Sequence, residues 1–184
     1  YNDGTGIPLV TNNSEWTTHR TPAYCWYDNE EATYKNVYGA LYNWYATIDS
    51  NGLCPSGWRV PTNDEWTALT DFIGGTGDSN KLKSCRQVNS PTGGSCNTSE
   101  HPRWEDDTSS GNYGTDDYGF SGLPGGGRYG SGYFGNIGTY GSWWSYTAYS
   151  SSIATLRSLS YNFGSVFGGG YSKRSGFSVR CLRD

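Results

Sequence analysis

The helical hydrophobic period ends near residue 75 and does not return, so the remaining 109 residues have to fold as strands, turns and loops. Upstream of that point the spacing predicts two helices. Tyr34, Tyr38, Leu41, Tyr45 and Ile48 recur at intervals of four and three, one face of a helix over 33–48, with Gly39 as its weak point. Thr62 followed by Glu65 is a capping box behind Pro61; Trp66, Leu69 and Ile73 form the buried stripe, and Gly74-Gly75 stop the helix. Residues 1–30 read as loop, with DG, TNN and TP punctuation. Residues 76–117, rich in Gly, Ser and Asp, read as a long excursion with little regular structure. Short strands are expected at 142–148, 154–162 and 176–182, with a further one at 118–123. The fold class is α+β: two early helices, then a small antiparallel sheet.

A chain of 184 residues is one domain's length, 1–184 taken whole. Aromatic residues make up 16%, which is foreign to disordered chains, and no apolar run is long enough to span a bilayer. The opening YNDGTGIPLV has neither a basic start nor an apolar stretch, so any targeting segment is expected to have been removed. Charge is unevenly placed. Residues 1–117 hold 16 acids and 7 bases, whereas 118–183 hold six bases and no acid at all. The six (Arg128, Arg157, Lys173, Arg174, Arg180 and Arg183) are scattered, without the basic stripe that nucleic-acid binding needs, so no nucleic-acid partner is expected. The missing acids call for another reason.

Cys85 and Cys96 bracket a polar loop with Pro and Gly, suited to a local disulfide. Cys54 and Cys181 lie far apart; joining them would tie the middle of the chain to its last strand and leave Cys25 over. Without a CxxC pair, and with only His19 and His101, a zinc site is not expected. Asp106, Asp107, Asp116 and Asp117 offer oxygen ligands for a structural Ca²⁺, though at no EF-hand spacing. Asp64 and Glu65 fit a helix N-terminus better than a catalytic carboxylate pair, and GxSxG, P-loop and HExxH motifs are absent. No catalytic residue and no required cofactor is expected.

What remains is a pattern and a composition. In ATLRSLSYN, Arg157, Leu159 and Tyr161 share one strand face, while Leu156, Ser158, Ser160 and Asn162 share the other, small and polar as a solvent- or ligand-facing surface would be. Residues 125–176 contain 13 Gly, 11 Ser and 7 Tyr. That is the palette of antibody loops, where Tyr gives contact area at low entropy cost and Ser and Gly adapt.

GALYNWYA (39–46), LCPSGWRVPTNDEW (53–66), DDYGFSGLPGGGR (116–128), WWS (143–145) and GFSVRCLRD (176–184) resemble the Fibrobacter succinogenes major paralogous domain family over nearly the whole chain. That family is similar in fold to C-type lectin domains and formylglycine-generating enzymes. The resemblance implies a C-type-lectin-like fold with two helices, a small antiparallel sheet and a long loop-rich insert, and it implies that Cys54 pairs with Cys181. Family members usually begin with a further strand before YNDGT, so this chain is expected to be part of a longer chain or assembly. The lectin sugar motifs EPN, QPD and WND are absent, so calcium-dependent sugar binding is not implied.

Residues 129–176 resemble the variable region of a diversity-generating retroelement target protein. In those systems adenines of a template are randomised, typically turning AAY codons into NNY, which cannot encode Trp, Lys, Met, Gln or Glu. The resemblance makes Trp143, Trp144, Ser145, Arg157, Leu159, Tyr161, Val166, Lys173 and Gly176 to Cys181 fixed framework. It makes Thr139, Tyr140, Ser142, Tyr146, Leu156, Ser158, Ser160, Asn162, Phe163, Ser165, Phe167, Gly169, Tyr171 and Ser175 the varied, ligand-binding positions, and every one of them is NNY-encodable. The function implied is a ligand-binding, adhesion or receptor-binding domain, outside the cell, at its surface or on a phage particle. Its partner would be a protein or glycan on another surface, with no membrane insertion of its own. The alternatives are a formylglycine-generating-type enzyme and a structural surface or pilus module.

Overall fold

A computed structural model describes residues 1–92 and 96–184. In chain order the helices are α1 (Asn13–Thr18), α2 (Glu31–Tyr38), α3 (Trp44–Thr47) and α4 (Asn63–Phe72). The strands are β1 (Tyr24–Cys25), β2 (Leu41–Asn43), β3 (Trp58–Arg59), β4 (Gly125–Arg128), β5 (Phe134–Ile137), β6 (Tyr140–Ala148), β7 (Ile153–Ser160), β8 (Phe163–Ser172), β9 (Gly176–Phe177) and β10 (Leu182–Arg183). Among the described residues the strands form three sheets, ordered β1-β2-β9-β4-β5, β10-β3 and β6-β7-β8, with antiparallel pairing throughout. Mixed short helices and antiparallel sheets agree with the α+β class.

The α4 helix forms as its sequence dictates. Thr62 Oγ1 accepts from the Glu65 amide, and the Glu65 carboxylate accepts from the Thr62 amide at 2.8 Å, so two orphan donors are satisfied reciprocally. Trp66 and Ile73 are buried, and Gly75 donates back to Thr70 to close the helix.

The single helix expected over 33–48 is instead α2, β2 and α3. Gly39 takes φ +76°, which breaks the helix. Tyr42 then pairs with Tyr24 on one side and Phe177 on the other, and Asn43 caps α3 through Oδ1. Long-range pairing overrides the local aromatic spacing, and α2 buries no residue fully. Within 1–30, expected as loop, Asn12 caps the short α1, which seats Trp16 in the core.

The second half holds more strand than expected. The 118–123 strand is absent; Gly122 makes only an isolated bridge to Lys83, and the strand lies at β4, in the glycine run that follows Pro124. Gly127 is needed there, since a Cβ would stand 2.5 Å from the Phe177 ring. The strand expected over 176–182 divides into β9 and β10, which pair in different sheets. The β8 strand had no alternating pattern to announce it; its pairing with β7 supplies the order.

The β6-β7-β8 sheet is packed on both faces. Trp143 joins Trp66, Ile73, Leu82, Trp104, Leu159 and Val166 on one side, while its neighbour Trp144 joins Trp44, Ala154, Leu156 and Phe177 on the other. A third cluster holds Trp16, Ala23, Cys25, Tyr27 and Leu41. Among its described residues the excursion over 76–117 carries a 3₁₀ segment at Thr76–Lys81 and is otherwise mostly irregular. Buried Lys83 fastens it, donating through Nζ to the carbonyls of Asn112, Ser160 (3.0 Å) and Phe163 (3.3 Å). Disulfides join Cys85 to Cys96 and Cys54 to Cys181, with Cα atoms 5.5 and 5.9 Å apart.

Candidate functional site

Directly opposed residues of an antiparallel pair share a face. The register places Ser142 opposite Ser158 and Trp144 opposite Leu156, then Ser158 opposite Phe167, Leu156 opposite Gly169 and Ala154 opposite Tyr171. Seven of the fourteen sequence-nominated positions thereby converge: Tyr140, Ser142, Leu156, Ser158, Phe167, Gly169 and Tyr171 line one cavity of about 510 Å³. The β4–β5 hairpin, β8 and β9 complete it with Gly126, Tyr129, Asn136, Gly168 and Phe177. Sequence reasoning had not nominated these five. The Tyr- and Gly-rich composition from residue 125 onward was the signal for Tyr129 and Gly126, whereas Phe177 had been assigned to the framework.

The floor is a hydroxyl pair, Ser142 and Ser158, with Oγ atoms 2.7 Å apart. The walls are aromatic. Tyr171 stands edge-on to Phe177 with centroids 5.2 Å apart, and Tyr129 is edge-on to Phe177 at 6.2 Å. Asn136 Nδ2 donates to the Tyr129 hydroxyl, whose pKa burial pushes up. Among the described residues no Lys, Arg, Asp or Glu lines this cavity. A volume within the usual ligand-pocket range, π-faces on the walls and hydroxyls at the base suit an uncharged ring with a polar edge.

The other nominated residues lie elsewhere. Leu156 touches the cavity but is 1% exposed and packs in the Trp44–Trp144–Phe177 cluster, so it is a core residue with one edge on the site. The face it shares with Ser158 and Ser160 is therefore only partly open, through the cavity and at β8, because β4, β9 and α3 cover much of the rest. Ser160 is fully buried, with Oγ donating to Asn162 Oδ1, and Ser175 is 2% exposed, accepting from the Gly130 amide; both support loops. Thr139 donates to the Asn136 carbonyl in the β5–β6 turn. Exposed Tyr146 lies outside the cavity, and Asn162, Phe163 and Ser165 lie at the far end of β8, where Phe163 meets Phe167 edge-on at 5.8 Å.

The opposite sheet face carries Arg157, whose guanidinium donates to Asn63 Oδ1 and Thr67 Oγ1, each at 2.9 Å. A second cavity of about 580 Å³ opens beside it, lined also by Tyr149, Ile153, Thr155 and Gly168–Gly170. Burial pushes the Arg157 pKa down.

The carboxylates nominated for Ca²⁺ do not converge. Asp107 accepts from Ser110 and from the Asn112 amide, and Asp116 from Ser121, each within its own loop. Among the described residues no group of three or more His, Cys, Asp or Glu side chains is placed to hold a metal. Glu65 is held by Arg59 and the Thr62 cap, which keep its pKa down at about 2. Burial pushes the Cys25 thiol up to about 12. No helix among the described residues is long and apolar enough to cross a membrane.

The family model of the Fibrobacter succinogenes major domain matches residues 1–183. Neither the curated proteins nor the solved structures gave a match.

Proposed function

The chain belongs to the Fibrobacter succinogenes major domain family, and from that premise we propose that it is a binding domain whose ligand enters the aromatic cavity on the β6-β7-β8 sheet. The observation that carries this reading is convergence. Seven positions, nominated from a resemblance to retroelement-diversified regions and scattered over 32 residues of sequence, line one cavity. Around it the framework residues Trp143 and Trp144 are anchored from outside the variable stretch, by the clusters that Trp66, Trp104 and Trp44 build with them, and Lys83 anchors the β7–β8 turn. Such a scaffold lets surface residues change while the core stays packed.

On this reading the fold is of C-type-lectin-like type and the cavity mouth is the diversified surface. The partner is a protein or glycan met outside the producing cell, at its surface or on a phage particle. Two disulfides fit an oxidising compartment. Cys54 and Cys181 are bonded to one another and Cys25 is a buried thiol of raised pKa, which favours binding over a thiol-based enzyme.

Peptide and glycan arrays probed with the wild-type domain test the reading against a Tyr140→Ser/Phe167→Ser/Tyr171→Ser variant. The wild type marks specific features, and the variant stays folded and leaves them unmarked. Retention of the same features by the folded variant would refute the site. A copy of the coding segment beside a reverse-transcriptase gene, differing only at adenines, would establish diversification.

A further inference from the structure

Among the described residues none of the six basic residues in 118–183 has a carboxylate within 4.0 Å, whereas four of the seven in 1–117, Lys35, Arg59, Lys81 and Arg86, do. Arg128 is spent on the carbonyls of Val10, Thr11 and Gly132, Lys173 lies over Trp44, and Arg180 lies over Phe120. Arg180 lines two smaller cavities of about 160 and 230 Å³, whereas Arg157 lines the cavity of about 580 Å³ that adjoins the aromatic site across β8. The Arg157 donors meet only neutral oxygens, and its burial works against its charge. A half-buried cation without a counter-ion is what an incoming carboxylate would relieve.

The two cavities lie on opposite faces of the same edge strand. Gly169, opposite Leu156, belongs to the aromatic face; Gly168 and Gly170, opposite Arg157 and Thr155, belong to the Arg157 face. A Cβ at Gly170 would come within 2.7 Å of Ile153 Cγ2, and one at Gly168 within 3.3 Å of Arg157 Nη1, so side chains here would close the second cavity. The start of β8 is covered by the 3₁₀ segment, where Ser79 Oγ donates to the Phe163 carbonyl at 3.1 Å. Gly168–Gly170 are exposed, and among the described residues their backbone groups bond to β7 alone.

We propose that an extended acidic segment of a protein partner adds to β8 along Gly168–Gly170 as a fourth strand. One side chain of the segment enters the aromatic cavity, and its neighbour in sequence, an aspartate or glutamate, meets Arg157. Strand side chains alternate between faces, so consecutive residues of an added strand reach the two cavities in turn. This also gives the acid-free half of the chain a reason, because a carboxylate there would repel the ligand or occupy Arg157. The inference rests on the aromatic cavity being the binding site.

The test is an NMR titration of the wild-type domain with acetyl-Ser-Tyr-Glu-Ser-amide and with its Gln counterpart. The Glu peptide is expected to shift Arg157 Nε–H and the Gly168–Gly170 amides and to bind at least about tenfold tighter, as one charge-assisted bond would give. The Arg157→Gln variant loses that preference. Should the variant not fold, the wild-type pair decides, through the Glu preference and its loss at high salt. Equal binding of both peptides, with shifts confined to Tyr140 and Tyr171, overturns this proposal and leaves the aromatic site standing. Silence at both cavities overturns the two together. Methyl glucuronide shifting Arg157 where the peptide does not would overturn the peptide assignment in favour of an acidic sugar.

Discussion

Ser142 and Ser158 face each other across β6 and β7 with their hydroxyl oxygens 2.7 Å apart, and both are over nine-tenths buried. Each hydroxyl is the other's partner in the floor of the aromatic cavity. Replacing one alone by alanine leaves a buried hydroxyl unpaired and is expected to cost about 1–2 kcal/mol. Replacing both removes the polar pair and costs less than the two single losses added together. Urea unfolding of the two single variants and the double variant measures this; additive losses would show that the hydroxyls do not depend on each other.

Leu156 and Phe163 were nominated on the same grounds, and the structure separates them. Leu156 is 1% exposed against Trp44, Trp144 and Phe177, whereas Phe163 is 50% exposed. Leu156→Ala is expected to cost about 2–5 kcal/mol through the cavity it leaves. Phe163→Ala, at a half-exposed site, is expected to cost under about 1 kcal/mol. Thermal unfolding ranks the pair, and similar losses would contradict the burial contrast.

That contrast marks where the sequence was legible. Alternation correctly split Leu156 from Arg157 and Leu159, because a strand's side-chain period is geometric. It could not say that both faces would be covered, since burial of the polar face comes from β4, β9 and α3, elements distant in sequence or hidden in glycine runs. The capping box at Thr62–Glu65 was readable because a helix start is a local event. Gly39 was legible as a weak point, but strand β2 beyond it and the whole of β8 were not, because partners 16 or more residues away and the neighbouring β7 order them. Within the site, Ser142 and Tyr171 were nominated while Phe177 was missed. Its place in the framework segment was legible, but not that its ring also walls the cavity.

Glu65 links local capping to pH. Its pKa is lowered from 4.5 to about 2, first by the Arg59 hydrogen bonds and then by the Thr62 amide. A carboxylate with a depressed folded-state pKa contributes stability above its unfolded value and loses it as pH falls through the folded one. The wild-type unfolding midpoint should therefore fall between about pH 4.5 and pH 2, and Glu65→Gln should fall less over the same window. The side chain is 31% exposed and Arg59 45%, so screening keeps the difference small and salt should shrink it further. Parallel curves for the two proteins would remove Glu65 from the acid response.

The two disulfides close loops of very different length, with sequence separations of 127 and 11. Loop entropy grows with the logarithm of length, giving about 5 kcal/mol for the long bridge and about 3 kcal/mol for the short one. Cys54–Cys181 also fixes the end of the chain beside β3, where Arg59 pairs with Asp184 and β10 pairs with β3. The Cys54→Ala/Cys181→Ala variant should therefore lose more stability than Cys85→Ala/Cys96→Ala, and hydrogen exchange should quicken at Leu182 and Arg183. The short bridge lies in the excursion, which Lys83 still fastens to the β7–β8 turn, so its loss should leave the aromatic cavity and its ligand affinity intact. Calorimetry on the two double variants, with binding measured alongside, would show this; a larger loss for the short bridge would place the excursion inside the cooperative core.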